Sequence, residues 1–242
     1  MEKINLEEIW DVRNVSAIWE KYCLQAKAFD PLRIREIQCI LPMPDDKEGV
    51  LIIADDTFFF NKESTMKTVQ RYAFAHCFPD YPVLSSVIKD IGAFGKYKLP
   101  WACPYFTLFP LEGGENSIWV NPLMIENVYQ LEGSHYLQLL NGLKLEIPVQ
   151  RYYALLRAEI ACAVFAALRQ DSAFFSTDSN RPLSYLPLPN TAFAQSLAKR
   201  PLLDHFVTRK GELHRRYQRA CFLHYYDELE NNLLIPDWEN WQ

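Results

Sequence analysis

The sequence YLQLLNGLKLEI, residues 136–147, decides the fold class. Apolar residues alternate on both sides of Asn141-Gly142, a pair that tolerates the positive φ angles of a tight two-residue turn. The stretch therefore predicts an antiparallel β-hairpin that turns at Asn141-Gly142. In the corresponding register Leu140 faces Leu143 and one face is mostly apolar, so we expect the hairpin to belong to a sheet that packs on a core.

A segment rich in Ala and Leu follows the hairpin at residues 150–170 and predicts a long helix. Its second half is apolar on all sides, which is typical of a helix buried at the centre of a domain. These patterns indicate an α+β fold in which an antiparallel sheet packs against a buried helix. Further strands are predicted at residues 33–41, 49–54, 118–120 and 125–129.

Additional helices are expected toward both ends of the chain, where apolar residues recur at helical spacing. These helices are predicted at residues 6–28, 64–78, 191–199 and 212–233, with a short helix or strand at 84–91. We interpret residues 1–60 as an N-terminal extension, residues 61–170 as the core and residues 171–242 as a C-terminal helical region. The three parts are expected to form one compact unit.

The composition excludes several classes of protein. With 49% hydrophobic residues and only 8 glycines among 242 residues, the chain is not of the disordered type. Its longest uninterrupted apolar run, Ile160–Leu168, is too short to span a bilayer. The first residues lack the layout of an export signal. Six scattered cysteines without a CxxC pair favour reduced thiols, so we expect a cytoplasmic protein without disulfides.

The net charge of −5 conceals a strong segregation of charge. Residues 199–219, here called the basic segment, carry 7 bases and 2 acids, whereas residues 220–242 carry 5 acids and no base. A local basic surface can bind phosphate even on an acidic protein. We therefore predict DNA contacts from the cations of the basic segment, which are Lys199, Arg200, Arg209, Lys210, Arg215, Arg216 and Arg219.

The order of charges in the last predicted helix supports this interpretation. Arg215, Arg216 and Arg219 lie in its first turns, whereas Asp227, Glu228 and Glu230 lie in its later turns. This order opposes the helix dipole at a few tenths to ~1 kcal/mol each. Such an arrangement suggests a role away from helix stability, for example at a phosphate backbone. The alternative is a solvated face whose charge order is arbitrary.

Other cations are weaker candidates for DNA contact. Lys96 and Lys98 flank Tyr97 in a predicted loop that could act as an arm, because minor-groove proteins use such residues to exploit the negative potential of a narrow groove. Surface solubility is the commoner reason for three lysines within ten residues. The remaining candidates are Lys89 near this loop, Lys144 beside the Asn141-Gly142 turn, and Arg151 and Arg157 on the buried helix.

The order of motifs through the middle of the chain resembles a known family. A Lys98-Leu99-Pro100 sequence and an aromatic-Phe-Pro segment precede Glu115-Asn116-Ser117-Ile118-Trp119-Val120-Asn121, followed by Ile125-Glu126-Asn127-Val128 and the Asn-Gly hairpin. This ordered set, within Val69–Leu168, is similar to the competence transcription factor ComK of low-GC Gram-positive bacteria. No single piece is specific, and the resemblance rests on the order.

The resemblance implies a transcriptional activator of DNA-uptake genes that acts as a homo-oligomer. Proteins of this family bind A/T-rich promoter boxes, mainly from the minor groove, and work with RNA polymerase at the nucleoid. A MecA-type adaptor delivers them to a Clp protease. The chain departs from the family at Cys77-Phe78-Pro79-Asp80, which lacks the family's basic residues, and Leu183–Pro187 matches its adaptor-binding segment only faintly.

Enzymatic and metal-binding alternatives have little support in the sequence. His76 and Cys77 are adjacent, and adjacent residues of a helix point about 100° apart, so they do not form a catalytic pair. The other histidines are dispersed, and we expect neither a metal site nor a cofactor. The remaining alternative is a ComK-like module that binds proteins and has lost strong DNA binding, which the negative net charge favours.

The acidic tail from Asp227 to Trp241 suggests a regulatory hypothesis. It carries two tryptophans and lies on the C-terminal side of the basic segment. We predict that the tail covers the basic segment and competes with DNA. Deletion of residues 231–242 is then expected to strengthen DNA binding at low salt.

Overall fold

A computed structural model describes residues 9–12, 14, 16–44, 47–114, 116–172, 174–175, 177 and 179–232, with side chains to residue 226. It has the predicted α+β architecture, with two sheets and six α-helices in this described part of the chain. The acidic-tail hypothesis concerns residues 233–242 and the side chains of residues 227–232, which lie outside the described part.

The larger sheet is built around a fully buried strand. This strand is β4 (Val50–Ala54), and it lies between β3 (Ile37–Pro42) and β5 (Thr57–Asn61) in antiparallel pairing. Asp55 and Asp56 both have positive φ angles, 47° and 56°, and form the tight turn between β4 and β5. This conformation is that of the type I′ hairpin turn.

Four further strands complete the larger sheet. On the β3 side lie β8 (Trp119–Val120), β7 (Thr107–Pro110) and β6 (Trp101–Ala102), each antiparallel to its neighbour. On the other side, β2 (Lys27–Ala28) runs parallel to β5. The sheet thus joins strands from before and after residue 60 of the sequence. The division of the chain into three parts, at residues 60 and 170, stays a prediction.

The smaller sheet contains the hairpin that the sequence predicts. Its strands are β9 (Ile125–Leu131), β10 (Ser134–Leu139) and β11 (Lys144–Ile147), with β1 (Ile9–Trp10) parallel to β11 at one edge. Every neighbouring pair except β1 and β11 is antiparallel.

The register of the Asn141-Gly142 hairpin differs from the predicted one by a residue. Leu137 pairs with Leu145, and the loop closes through a hydrogen bond of 2.9 Å from the Gly142 amide to the Leu139 carbonyl. Of loop residues 140–142, all of them described, only Gly142 has a positive φ angle (88°), as in three-residue hairpin loops. The observed register buries the apolar side chains of both strands, which are Leu137, Leu139, Leu143, Leu145 and Ile147.

The long helix α4 (Arg151–Asp171) is central, as predicted. Its buried residues include Ala158, Cys162 and Phe165, and none of these three is measurably exposed. The helix packs on β6 and β7 of the larger sheet and on β9 of the smaller one. The other helices are α1 (Ala17–Gln25), α2 (Thr65–Ala75), α3 (Tyr81–Ile91), α5 (Ala192–Leu197) and α6 (Glu212–Asn232).

The predicted helix at residues 6–28 is wrong in its first half. Residues 1–8 lie outside the described part, Ile9–Trp10 is the strand β1, and the helix α1 begins only at Ala17. Trp10 is 2% exposed and its ring lies 4.6 Å from that of Tyr22. Burial of this large ring beside β11 explains why tertiary packing overrides the helical pattern.

Candidate nucleic-acid interface

Several cations predicted to contact DNA hold the fold together instead of pointing into solvent. The Arg151 guanidinium donates to the Asn127 side chain at 3.1 Å, to the Val128 carbonyl at 3.0 Å and to the Ser196 hydroxyl at 2.8 Å. It thereby connects the start of α4 with β9 and α5. The Arg157 guanidinium lies 3.4 Å from the Pro110 carbonyl, and burial lowers its pKa.

Arg200 forms the most buried ion pair of the described residues. Its guanidinium lies 2.7 Å from the carboxylate of Glu159, a side chain of α4 that is only 2% exposed. The same carboxylate accepts a 2.8 Å hydrogen bond from the Leu202 amide. Arg200 therefore neutralises a buried charge, and a charge in such a site needs its partner.

Arg169, which was not among the predicted contacts, has a similar internal role. It donates to the carbonyls of Pro104 at 3.0 Å and Tyr185 at 2.7 Å. Its guanidinium also lies 4.7 Å and 4.1 Å from the ring centres of Phe165 and Phe175. Burial lowers its pKa as it does for Arg157. These contacts fix the end of α4 against Pro104, Phe175 and Tyr185.

A second population of cations is exposed. Four of them, Arg209, Lys210, Arg215 and Arg219, lie on the turn before α6 and on its first turns, and we call them the exposed quartet. Within the described part of the chain, none of the four takes part in an ion pair. Lys199 is exposed as well.

Arg216 differs from the exposed quartet because its charge is compensated. Its guanidinium lies 2.7 Å from the carboxylate of Glu212, one helical turn earlier. The Arg209 amide donates to the same carboxylate at 3.1 Å, and these hydrogen bonds lower the pKa of Glu212. The charge order of α6 is therefore less unfavourable than its sequence suggests, since an acid occupies the first turn.

The N-terminal half of α6 is anchored to the rest of the molecule. The carboxylate of Asp171 accepts hydrogen bonds from the amides of Gly211 and His214, and so caps the helix from the end of α4. The Tyr217 hydroxyl accepts a 2.8 Å hydrogen bond from the Asp80 amide, and Leu213 is fully buried. The exposed quartet is therefore presented by a fixed scaffold.

One face of α6 combines cations with exposed aromatic rings. Arg215, Arg219, Phe222 and Tyr226 follow one another at intervals of three or four residues, so they share a face that we call the α6 stripe. Phe222 is 68% exposed, and its ring lies 6.1 Å from that of Tyr226 in a stacked arrangement. The spacing of these residues is visible in the sequence, but the charge pattern alone does not indicate the aromatic part.

The remaining predicted contacts lie on other elements. Lys89 is exposed on α3, which packs against α6. Lys96 and Lys98 are exposed in the following loop, on either side of Tyr97, which is 86% exposed. Lys144 lies within β11, paired with Gln138, and is only partly exposed, so it is not at the tip of the hairpin.

The adjacent His76 and Cys77 have separate environments. The His76 ring nitrogen lies 2.9 Å from the Pro31 carbonyl, and its ring stacks on Phe78 at 5.2 Å. Cys77 is exposed, with a φ angle of 54°. Burial raises the pKa of the Cys103 thiol to about 12 and also raises those of Cys39 and Cys162, so these three cysteines pack as neutral side chains.

Comparison with known proteins gave no matching family model, no matching curated protein and no matching solved structure. Among the described residues, no group of three or more His, Cys, Asp or Glu side chains is arranged to hold a metal ion. None of the described helices has the length and apolar character needed to cross a bilayer.

Proposed function

We propose that the protein is a DNA-binding transcriptional activator of the ComK type that recognises A/T-rich duplexes largely through the minor groove. The α6 stripe is the observation that carries this proposal. It places Arg215 and Arg219, which form no ion pair with another described residue, and the exposed Phe222 on one face of a helix whose N-terminal half is anchored. The ordered motifs between Val69 and Leu168 supply the family expectation.

The proposed contacts follow from the chemistry of the stripe. Arginines are favoured in the narrow groove of A-tracts, where the negative potential is enhanced. Minor-groove proteins also insert apolar wedges such as Phe between base steps and thereby kink the duplex. In our proposal the cations of the exposed quartet bind phosphates and the groove, while Phe222 provides the wedge.

The overall charge sets the expected strength of this binding. A net charge of −5 disfavours sequence-independent attraction to DNA, so affinity depends on the local cluster and falls as salt increases. We propose homo-oligomerisation, a MecA-type adaptor, a Clp protease and RNA polymerase as partners, and the cytoplasm and nucleoid as location, on the resemblance alone.

The experiment that tests the function is a mobility-shift titration of the native chain on an A/T-box duplex and on a G/C-rich duplex of equal length. Both are titrated at several salt concentrations. We expect preferential binding of the A/T duplex that weakens steeply with salt. Equal affinity for the two duplexes, or no binding at low salt, would contradict the proposal.

A second candidate function is a protein-interaction module without strong DNA binding. The observation that favours it is the concentration of exposed apolar side chains on α6, where Phe222 is 68% and Leu223 is 47% exposed. Exposed aromatic residues are enriched where proteins bind one another. If sedimentation shows a self-association that Phe222→Ser abolishes, and DNA binding is absent, this candidate replaces the first.

A further inference from the structure

A polar cavity of about 560 Å³ lies beside the basic segment. Its walls come from the end of α4, from the turn at residues 205–210, and from Thr177, Ser179, Asn180 and Tyr185. Cavities of roughly 300–1,000 Å³ are the usual size for small-molecule sites. The DNA-binding proposal does not use this space.

The inner wall of the cavity contains an unsatisfied buried amide. Gln170 is 6% exposed, and its Nε2 donates to the Asn180 side chain at 3.4 Å. Its Oε1 is buried and has no hydrogen-bond partner among the described residues. A buried acceptor without a partner is unfavourable, and the terminal torsion of a Gln side chain is broad, so a small rotation can turn this oxygen toward a donor in the cavity.

The rim of the same cavity is cationic. Arg209 and Lys210 are both exposed there, and the side chain of His205 also lines the cavity. Among the described residues, neither Arg209 nor Lys210 forms an ion pair. Two adjacent cations with free donors suit a dianionic group such as a phosphate.

An aromatic pair forms another part of the wall. The rings of Tyr185 and Phe206 meet edge to face at 5.5 Å. They offer an apolar surface to the flat or carbon-rich part of a ligand. The cavity thus combines a buried amide in its inner wall, an apolar wall and cations at the mouth.

We propose that this cavity binds a small phosphate ester that also carries N–H or O–H donors, of the nucleotide or sugar-phosphate class. The phosphate binds Arg209 and Lys210 at the mouth, and a donor of the base or sugar reaches the Oε1 of Gln170. The phosphates of DNA offer the same anion, but a duplex backbone at the mouth supplies no donor to the buried amide. Gln170 therefore distinguishes the two sources of phosphate.

The test is a calorimetric titration of the full chain, without DNA, with AMP, GMP, CMP, UMP, ribose 5-phosphate, inorganic phosphate and adenosine. We expect at least one phosphate ester to bind saturably and more tightly than inorganic phosphate or adenosine. Gln170→Leu is expected to weaken this binding by about tenfold, the scale of one hydrogen bond to a buried group. The same variant should leave duplex binding unchanged.

A second variant does not disturb the buried wall. Arg209→Gln with Lys210→Gln alters only exposed side chains and is expected to weaken binding at least about tenfold. Lys199→Gln removes an exposed charge that does not line the cavity, and it should have no effect. Because DNA is absent, failure of the DNA-binding proposal leaves these results intact.

Two kinds of result would overturn the proposal. The first is that none of the phosphate esters binds saturably at low-millimolar concentration. The second is that a phosphate ester binds equally well to a folded Gln170→Leu variant, or binds no more tightly than inorganic phosphate does. In either case the mouth of the cavity would be only a local concentration of positive charge.

Discussion

The cations packed around α4 and the exposed quartet at the start of α6 have opposite environments. Around α4, Arg151, Arg157 and Arg200 bond to carbonyls, to polar side chains or to a buried carboxylate. Around the start of α6, the exposed quartet has no ion-pair partner among the described residues. Arg200 and Arg209 belong to the same basic segment of the sequence, so the partner in space, and not the local charge count, decides which cation stays exposed.

The largest loss of stability is expected when a cation that packs around α4 is removed. Arg200→Ala leaves the buried Glu159 carboxylate without its partner and should lower the free energy of unfolding by about 3–5 kcal/mol. The neighbouring Lys199→Ala should change it by no more than about 0.5 kcal/mol, because Lys199 is exposed. Urea denaturation of both variants measures the difference. Equal and small losses of stability in the two variants would contradict the distinction between partnered and exposed cations.

The aromatic half of the α6 stripe is expected to matter for DNA and not for stability. Phe222→Ser should weaken binding to an A/T duplex by about tenfold, the scale of one stacking or wedge contact. The salt dependence should stay the same because no charge is lost. Thermal unfolding should be unchanged, since Phe222 is 68% exposed. Unaltered affinity in a folded variant would show that Phe222 does not contact the duplex.

The anchoring of α6 predicts a moderate loss of stability. Tyr217→Phe removes the hydroxyl that accepts from the Asp80 amide and should cost about 1 kcal/mol. Burial raises the pKa of Tyr217 to about 12. The neutral phenol is therefore favoured by folding, and its contribution is present below about pH 10 and is lost as pH rises toward 12. The unfolding free energies of the native protein and of Tyr217→Phe should converge over this pH interval. A constant difference between them would contradict the assignment of the effect to the Tyr217 hydroxyl.

The smallest effect concerns the compensated cation of α6. Glu212→Gln removes the partner of Arg216 and should cost about 0.3–0.5 kcal/mol, as is usual for exposed pairs one helical turn apart. Hydrogen bonds from the Arg209 amide and the Arg216 side chain lower the pKa of Glu212, so its contribution is present above its ordinary value of 4.5 and is lost as pH falls below it. Denaturation of the native protein and of the variant at neutral and acidic pH measures the difference in the free energy of unfolding. A difference that persists in acid would contradict its assignment to the ionised Glu212 carboxylate.

Local sequence patterns predicted the fold class correctly but not the register of the hairpin. The long apolar helix and the hairpin at Asn141-Gly142 were both correctly expected. The hairpin register was wrong because Asn-Gly fits two loop lengths, and burial of leucines on both strands selects the longer one. The Asp55-Asp56 turn was missed, since it has no glycine to mark its positive φ angles.

Charge patterns predicted where a candidate site lies but not which cations belong to it. The sequence places Arg200 and Arg209 in one basic segment, yet only Arg200 meets Glu159, which lies more than forty residues earlier on α4. No local pattern indicates such a long-range partner. The cavity near Gln170 was beyond prediction for the same reason, because its walls come from three separate parts of the chain.

The salt dependence of DNA affinity in two matched variants tests the central claim most directly. One variant changes the exposed quartet to Gln, and the other changes four exposed lysines on other elements to Gln, so that both lose the same charge. These lysines are Lys21, Lys27, Lys62 and Lys67. We predict that the slope of log affinity against log salt becomes shallower by about 0.9 per lost phosphate contact in the first variant and stays native-like in the second. Equal slopes in both variants would contradict the assignment of the exposed quartet to DNA.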